Sequence, residues 1–476
     1  VTVTVYVMRV VVTDYFSAQS VERLVPGLDA AGTLRSAGIP DGYPFIVADN
    51  CTYEGELNRV LRLMPSYGVR SVRSVRAYAD VYVAAGRFLL GQPEPKTLWE
   101  ATRNDFNVLF TVRRVDLATR QSKATWNLWV AALDKLYQIG VDEALVAANP
   151  FPRGLRSVRG RYGPAVERNL AYEPDGGQRP VKYLSLDQYR QWRNVGLLGT
   201  SAPLPRLRER NAAFADLLLA TGLRLQEAAS LLAVEIGNEA MGPHRFDLGA
   251  ATAKGSKTRR VSVPARVQGE LRSYMKVERA GAVAIGRRMG TYAGKGWQKV
   301  VAVGPGGVRL ATGRAGRLSL HELAPRERAR LLLVDDDGRP VGPLALWLDE
   351  CGRPVSLDAW QRVFDRASQR AGDERAISVH PHMLRHSFAV HMLGLLVQRV
   401  VNVALPDGLA GIRPDTALYT RVITDPVRQL QRLLGHATSQ STEVYLSCLD
   451  LAQRIVDGAV ADLDATLPLD EYELPA

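Results

Sequence analysis

The chain has 476 residues, enough for two to four domains, and 46% of them are hydrophobic, which excludes a disordered polar chain. Its 61 Lys and Arg against 49 Asp and Glu give a formal net charge of +12, a balance that suits a polyanionic partner such as nucleic acid. The three cysteines, Cys51, Cys351 and Cys448, are too scattered for a metal finger or a disulfide framework and point to a reducing compartment, and no apolar run approaches the ~20 residues of a membrane helix.

In chain order, the run VTVTVYVMRVVVT alternates apolar residues with Thr and carries Arg9 in its middle. It reads as a strand rather than a signal peptide. Residues 1–68 hold no further motif and form an N-terminal extension of unknown role. Residues 69–152 read as a basic helical domain. Val75, Tyr78, Ala79, Tyr82, Val83 and Phe88 recur at near-helical intervals over Ser74–Leu90, a second run is Leu98–Phe110, and a third is Ser122–Leu136. Between Arg70 and Arg156 there are thirteen Lys and Arg against eight Asp and Glu. Pro150, Pro152, Pro174, Gly176, Gly177 and Pro180 then predict a linker over 153–182.

A second domain is expected over 183–476. Ser185 and Gln188 make a capping box at a helix start. A helix over Arg210–Ala220 ends at Thr221-Gly222, and another begins near Leu223. Strands are expected around Arg245–Leu248 and Arg260–Val263, and helices over Ala265–Ala280, Ser356–Ala371, Pro381–Val397, Pro426–Leu434, Thr442–Cys448 and Leu449–Leu463. Insertions fall near 281–345 and 399–424. From Arg279 to His321 there are eight Lys and Arg and no acid. That stretch reads either as a solvated β-hairpin or as an added phosphate-contacting flap. After Arg454 the chain holds six Asp and Glu and no Lys or Arg, as a solvated tail would.

Five segments carry candidate chemistry. In Thr221-Gly-Leu-Arg-Leu-Gln-Glu227, a cation opens a helix, where the dipole repels it unless an anion binds there. Glu227, at i+3, can hold the Arg224 guanidinium; an ordinary surface pair is the plain alternative. In Lys254-Gly-Ser-Lys257, Lys254 sits at the lip of a hairpin turn and can donate a proton, although basic hairpins are common. In His382-Met-Leu-Arg-His386, His382 and Arg385 share a helix face. His380, His382, His386 and His391 also invite a zinc reading, but Leu384 and Arg385 stand where a zinc-hydrolase motif needs its Glu, and an Arg beside a metal is electrostatically poor. Last come Leu433-Leu-Gly-His436 and, nine residues on, Tyr445, which alone would read as core packing.

Taken together, these segments resemble the tyrosine recombinase (phage integrase) family over about 183–455, with weaker likeness at 70–155. The resemblance implies a mainly α fold with a small β-sheet: an N-terminal helical core-binding domain and a mixed α/β catalytic domain, closing on DNA as a clamp. It assigns catalysis to Arg224, Lys254, His382, Arg385, His436 and Tyr445, with Glu227 and His386 in support. It implies cleavage and rejoining of double-stranded DNA through a 3′-phosphotyrosine, with the arginines and His436 on the phosphate, His382 as general base and Lys254 as proton donor. No cofactor or metal is called for. The expected assembly is a homo-tetramer on paired DNA sites, with Leu449–Leu463 as the docking helix, in the cytoplasm at the nucleoid. The rival readings are a type IB topoisomerase, a catalytically silent DNA-binding protein and a zinc hydrolase. The spacings from Lys254 to His382 and from Arg385 to His436 are longer than the family's pattern.

Overall fold

The structure, a computed structural model, describes residues 8–12, 29–39, 43–48, 52–161, 165–173, 181–200, 202–236, 244–253, 258–294, 296–304, 307–311, 317–372, 378–404, 425–436 and 438–446. Among these the fold is mainly helical with small sheets, and packing divides the chain into two units, 1–178 and 179–476. No helix among the described residues is long and apolar enough to cross a membrane.

The first unit is built on two long helices, α3 (Val72–Leu90) and α5 (Lys123–Asp142). The predicted periodicity is what buries Val75, Ala79, Tyr82 and Leu89 on one and Trp126, Val130, Leu133 and Leu136 on the other. Ser122 caps α5 by accepting from the Thr125 N–H at 3.1 Å. Between them, α4 (Arg103–Phe110) runs on into a π-helical turn at Thr111–Val115.

Two boundaries differ from expectation. The segment before Arg70 is not separate from the helices: β1 (Met8–Val12) pairs antiparallel with β2 (Pro44–Ala48), and a helix α1 (Ala30–Ser36) lies between them in sequence. Tyr43, Ile46 and, from α2 (Gly55–Leu63), Leu57, Val60 and Leu61 join the same core as α3 and α5. Asn58 bonds both backbone groups of Ile46, donating to its oxygen at 2.8 Å and accepting from its nitrogen at 2.7 Å. The predicted linker over 153–182 is likewise occupied. It holds a hairpin of β3 (Arg153–Arg161) and β4 (Ala165–Asn169), then a return strand of chain tied down by side chains. Trp126 Nε1 donates to the Ala171 oxygen at 2.9 Å, and Asn127 exchanges two bonds with the Glu173 backbone. Pro174, Gly176, Gly177 and Pro180 lie outside the described residues, while buried polar groups that need partners recruited the described part of the segment.

In the second unit, Ser185 and Gln188 form the expected capping box on α6 (Leu186–Gln191). The central element is α7 (Arg208–Thr221), buried on nearly every side through Ala212, Ala213, Phe214, Ala215, Leu217 and Leu218. Phe214 stacks on Trp360 of α12 (Leu357–Arg370) at 3.6 Å and meets Trp347 edge-on. After α7 come the short α8 (Leu225–Ala229), the hairpin of β5 (His244–Leu248) with β6 (Arg259–Val263), and α9 (Ala265–Tyr274), which continues without a break into α10 (Ala280–Arg288).

The basic insertion is no solvated hairpin. β7 (Gln298–Gly304) and β8 (Gly307–Leu310) join β9 (Leu331–Val334) and β10 (Pro340–Pro343) in a four-stranded sheet ordered β10-β9-β7-β8, with β7 and β9 parallel. The single-turn α11 (Pro325–Arg328) precedes β9, and Val300, Val308, Leu331 and Leu344 bury one face with Leu232 and Leu323. The alternation that buries Val300 and Val308 turns Lys299 and Arg309 outward. Beyond it, α13 (Pro381–Ala404) is longer than predicted, α14 (Asp425–Leu434) agrees with the expected helix, and α15 (Gln440–Glu443) is a single turn leading to Tyr445. The second expected insertion lies largely outside the described residues, as does the helix expected over Leu449–Leu463.

Candidate active site

Gly222 ends α7 at φ +64°, in the left-handed region, and a side chain there would strike Phe388 at 2.3 Å. The turn puts Arg224 at the N-cap of α8 with extended backbone. Arg224 gives its backbone N–H to Glu227 Oε2 at 2.8 Å and its Nη1 to Oε1 at 2.9 Å, while 23% of its side chain stays exposed. Glu227 is buried and is held from the other side by Arg259 of β6, through Nη2 to Oε2 at 2.6 Å and Nη1 to Oε1 at 3.2 Å. Burial alone would raise the Glu227 carboxyl. The Arg259 fork and the Arg224 N–H outweigh it and hold the group at about 2, so it is ionised.

Arg385, on α13, is buried, and its two terminal nitrogens donate to carbonyls at the ends of two other helices: Gly222 after α7 and Leu434, the last residue of α14, at 2.7 Å. These are the orphan acceptors of helix C-termini, which favour a cation. The bond to Gly222, two residues before Arg224, joins the two arginine segments. Burial lowers Arg385 to about 10, with Arg224 and Arg259 lowering it further and Glu227 and Tyr445 opposing. It remains a cation at neutral pH.

Gly435, at φ +65°, ends α14 and presents His436, whose Nδ1 lies 2.9 Å from Thr442 Oγ1. The His436 and Tyr445 rings lie within 18° of parallel, with centroids 6.3 Å apart. Tyr445 is 2% exposed, and its hydroxyl lies 2.9 Å from His386 Nδ1. The exposed His382 sits one turn before His386 on α13, ring centroids 4.4 Å apart. Burial, then the positive neighbours Arg385 and Arg224, drives His436 down to about 4. Burial and then His382 and Arg385 do the same to His386. Both rings are neutral at pH 7.

Of the residues singled out from sequence, Arg224, Glu227, Arg385, His386, His436 and Tyr445 therefore converge. His382 borders them, and Lys254 lies outside the described residues. The zinc alternative loses its cluster, since His391 Nε2 bonds the Leu184 oxygen at 2.9 Å and His386 faces Tyr445. Among the described residues no group of three or more His, Cys, Asp or Glu could hold a metal ion. Two site residues escaped the sequence reading: Thr442, behind His436, and Arg259. The alternation in Arg259-Arg-Val-Ser-Val263 was the signal for the latter, because it places Arg259 on the inward face with Val261 and Val263.

The profile of the phage integrase family matches residues 197–398, a stretch that includes Arg224, Glu227, Arg259 and Arg385. The chain is 30% identical over 163 residues to tyrosine recombinase XerC 1 of Ralstonia nicotianae, covering 33% of this chain and 40% of that protein. It is 25% identical over 307 residues to tyrosine recombinase XerC of Alcanivorax borkumensis, covering 64% and 67%. The match thus spans about two fifths of the length of the first of these relatives. Among solved structures, the XerH site-specific recombinase bound to difH substrate aligns at TM-score 0.44 and 16% identity, over 82% of this chain and 79% of that one. A lambda integrase (75-356) dimer bound to a COC' core site aligns at TM-score 0.44 and 13% identity, over 82% and 94%.

Proposed function

We propose that the chain is a tyrosine recombinase of the phage integrase family, which cuts and rejoins double-stranded DNA through a covalent 3′-phosphotyrosine at Tyr445; the match of that family's profile and the likeness to the XerC relatives support this reading. The observation that carries this reading is the convergence of Arg224 and Arg385 on the Gly222 turn, with Tyr445 and His436 in the same cluster. A phosphodiester resists attack because it is anionic and its leaving alkoxide is poor. Fixed cations at the non-bridging oxygens lower that barrier, since charge builds there in the transition state. Arg224 supplies the accessible fork and Arg385 the buried charge behind it. In the reading proposed, Thr442 Oγ1, 2.9 Å from His436 Nδ1, donates to it, which leaves the ring proton on Nε2 to be given to the same oxygens.

Tyr445 Oη attacks phosphorus and the bond to the 5′-oxygen breaks. The phenol proton passes to a base, and the leaving oxygen takes one from a donor. His386, held at about 4, is a poor match for a phenol of pKa ~10, so it orients the hydroxyl rather than deprotonating it. The family likeness gives the base role to His382 and the donor role to Lys254. A 5′-hydroxyl of a second strand reverses the step, and the phosphotyrosine retains the bond energy. The basic helical unit contacts the DNA beside the site, and a homo-tetramer on paired sites, at the nucleoid, carries out exchange.

The test is a nicked duplex that traps the cleaved strand. Wild-type protein becomes linked to the 3′ end, and Tyr445→Phe binds the same duplex without forming the adduct. Protein-linked DNA in that variant refutes the assignment.

A further inference from the structure

Arg259 has no part in the chemistry above, yet it is more deeply buried than Arg224: 5% of its side chain is exposed against 23%. Its guanidinium and that of Arg224 share one carboxylate. Each oxygen of Glu227 accepts two bonds, one from either arginine's residue, so the roughly four acceptor sites of the carboxylate are full. Arg259 is the larger of the two influences that hold the buried carboxylate ionised, Arg224 being the other, and its fork fixes the orientation in which Glu227 meets Arg224. Arg259 also touches the opposite wall. A Cβ at Gly435 would lie 3.3 Å from Arg259 Cδ and 3.4 Å from Nη1, so the arginine packs against the turn that presents His436. Among the described residues its Nε is buried without a hydrogen-bond partner.

We propose that Arg259 is a positioning residue of the phosphate pocket: through Glu227 it sets the Arg224 fork, and through Gly435 it backs His436. The inference rests on the strand-transfer reading. Two arginines on one carboxylate also leave the pocket with surplus positive charge, to which Arg385 adds. That surplus favours an oxyanion gaining charge over the ground-state phosphate.

The experiment uses full-length protein and the nicked duplex, in single turnover, with either a phosphodiester or a neutral methylphosphonate at the scissile position. Arg259→Gln is expected to slow phosphodiester cleavage about 100-fold, with DNA affinity within about threefold. Arg259→Lys, which keeps the charge but loses the fork, should recover to within about tenfold of wild type. On the methylphosphonate, where less charge develops, the deficit of both variants should shrink by about tenfold or more. Should Arg259→Gln fail to fold, Arg259→Lys alone reads the same ratio. Wild-type rates in the variants overturn the proposal, and so does an equal deficit on both substrates, which marks a merely structural arginine. Failure of the strand-transfer reading looks different: wild-type protein would then form no adduct on the phosphodiester, and both inferences would fall together.

Discussion

The second unit uses the same kind of side chain in two opposite ways. Arg259 and Arg385 are buried and locked, the first on Glu227 and the second on two helix-end carbonyls. Lys299 and Arg309, on the four-stranded sheet, stand outward on strands whose alternate residues are core. Burial removes the screening of water and salt, so a buried cation acts strongly on one fixed point but must be held by partners. An exposed cation is screened and mobile, and contributes to affinity for any polyanion. Under the proposed function the difference separates chemistry from binding within one unit, and it can be attacked from either side.

The largest effect is expected from Arg385→Ala. It removes the cation and leaves the Gly222 and Leu434 carbonyls without their donor, at a cost of about 2–4 kcal/mol in stability. Cleavage should fall about 1,000-fold, further than DNA binding does. Single-turnover rates and Kd on the nicked duplex measure both, and equal losses would place Arg385 among the binding cations instead.

A second effect belongs to the two rings that burial, and then their positive neighbours, keep neutral. His386 and His436 are depressed in the folded protein from 6.5 to about 4, so unfolded chains take up protons first as the pH falls. Their contribution to stability is complete above about 6.5 and is lost as the pH falls through 4. Urea midpoints taken from pH 8 to pH 3.5 should decline across that window, and His436→Asn should make the decline shallower. A wild-type midpoint that holds steady down to pH 4 contradicts neutral rings.

The smallest effect is expected from the exposed cations. Lys299→Gln with Arg309→Gln should leave the cleavage rate of bound DNA and the melting temperature unchanged. It should reduce the slope of log affinity against log salt by up to about two units, near one per phosphate contact. An unchanged slope would make that sheet a structural element only. Point substitutions are needed because deleting the segment would also remove Val300 and Val308 from the core.

The pattern of success in reading the sequence follows the range of the interactions. Helices α3, α5, α7 and α12 were legible because their apolar spacing and caps are local. Part of the candidate site was legible because its motifs pair neighbours, Arg224 with Glu227 three residues on and Gly435 with His436, whereas Arg259 and Thr442 were not. What stayed hidden is long-range. The tie of residues 43–64 and 151–173 to the helical core depends on single side chains such as Asn58 and Trp126 meeting distant backbone. The sheet that absorbs the basic insertion needs β9 and β10, which lie beyond the Gly-rich stretch and carry no turn signal linking them to it.

By itself the sequence determined the identities and order of the motif residues, and with them the likeness to a family, because these are chemical facts independent of packing. Only the tertiary structure decided which of them are buried, and so which carry charge. Glu227 is held ionised by the arginines that folding brings against it, His386 and His436 are held neutral first by burial and then by positive neighbours, and Arg259 reaches Glu227 across 32 residues of chain. Protonation states depend on the dielectric and the charges around a group, and those exist only once the chain has folded.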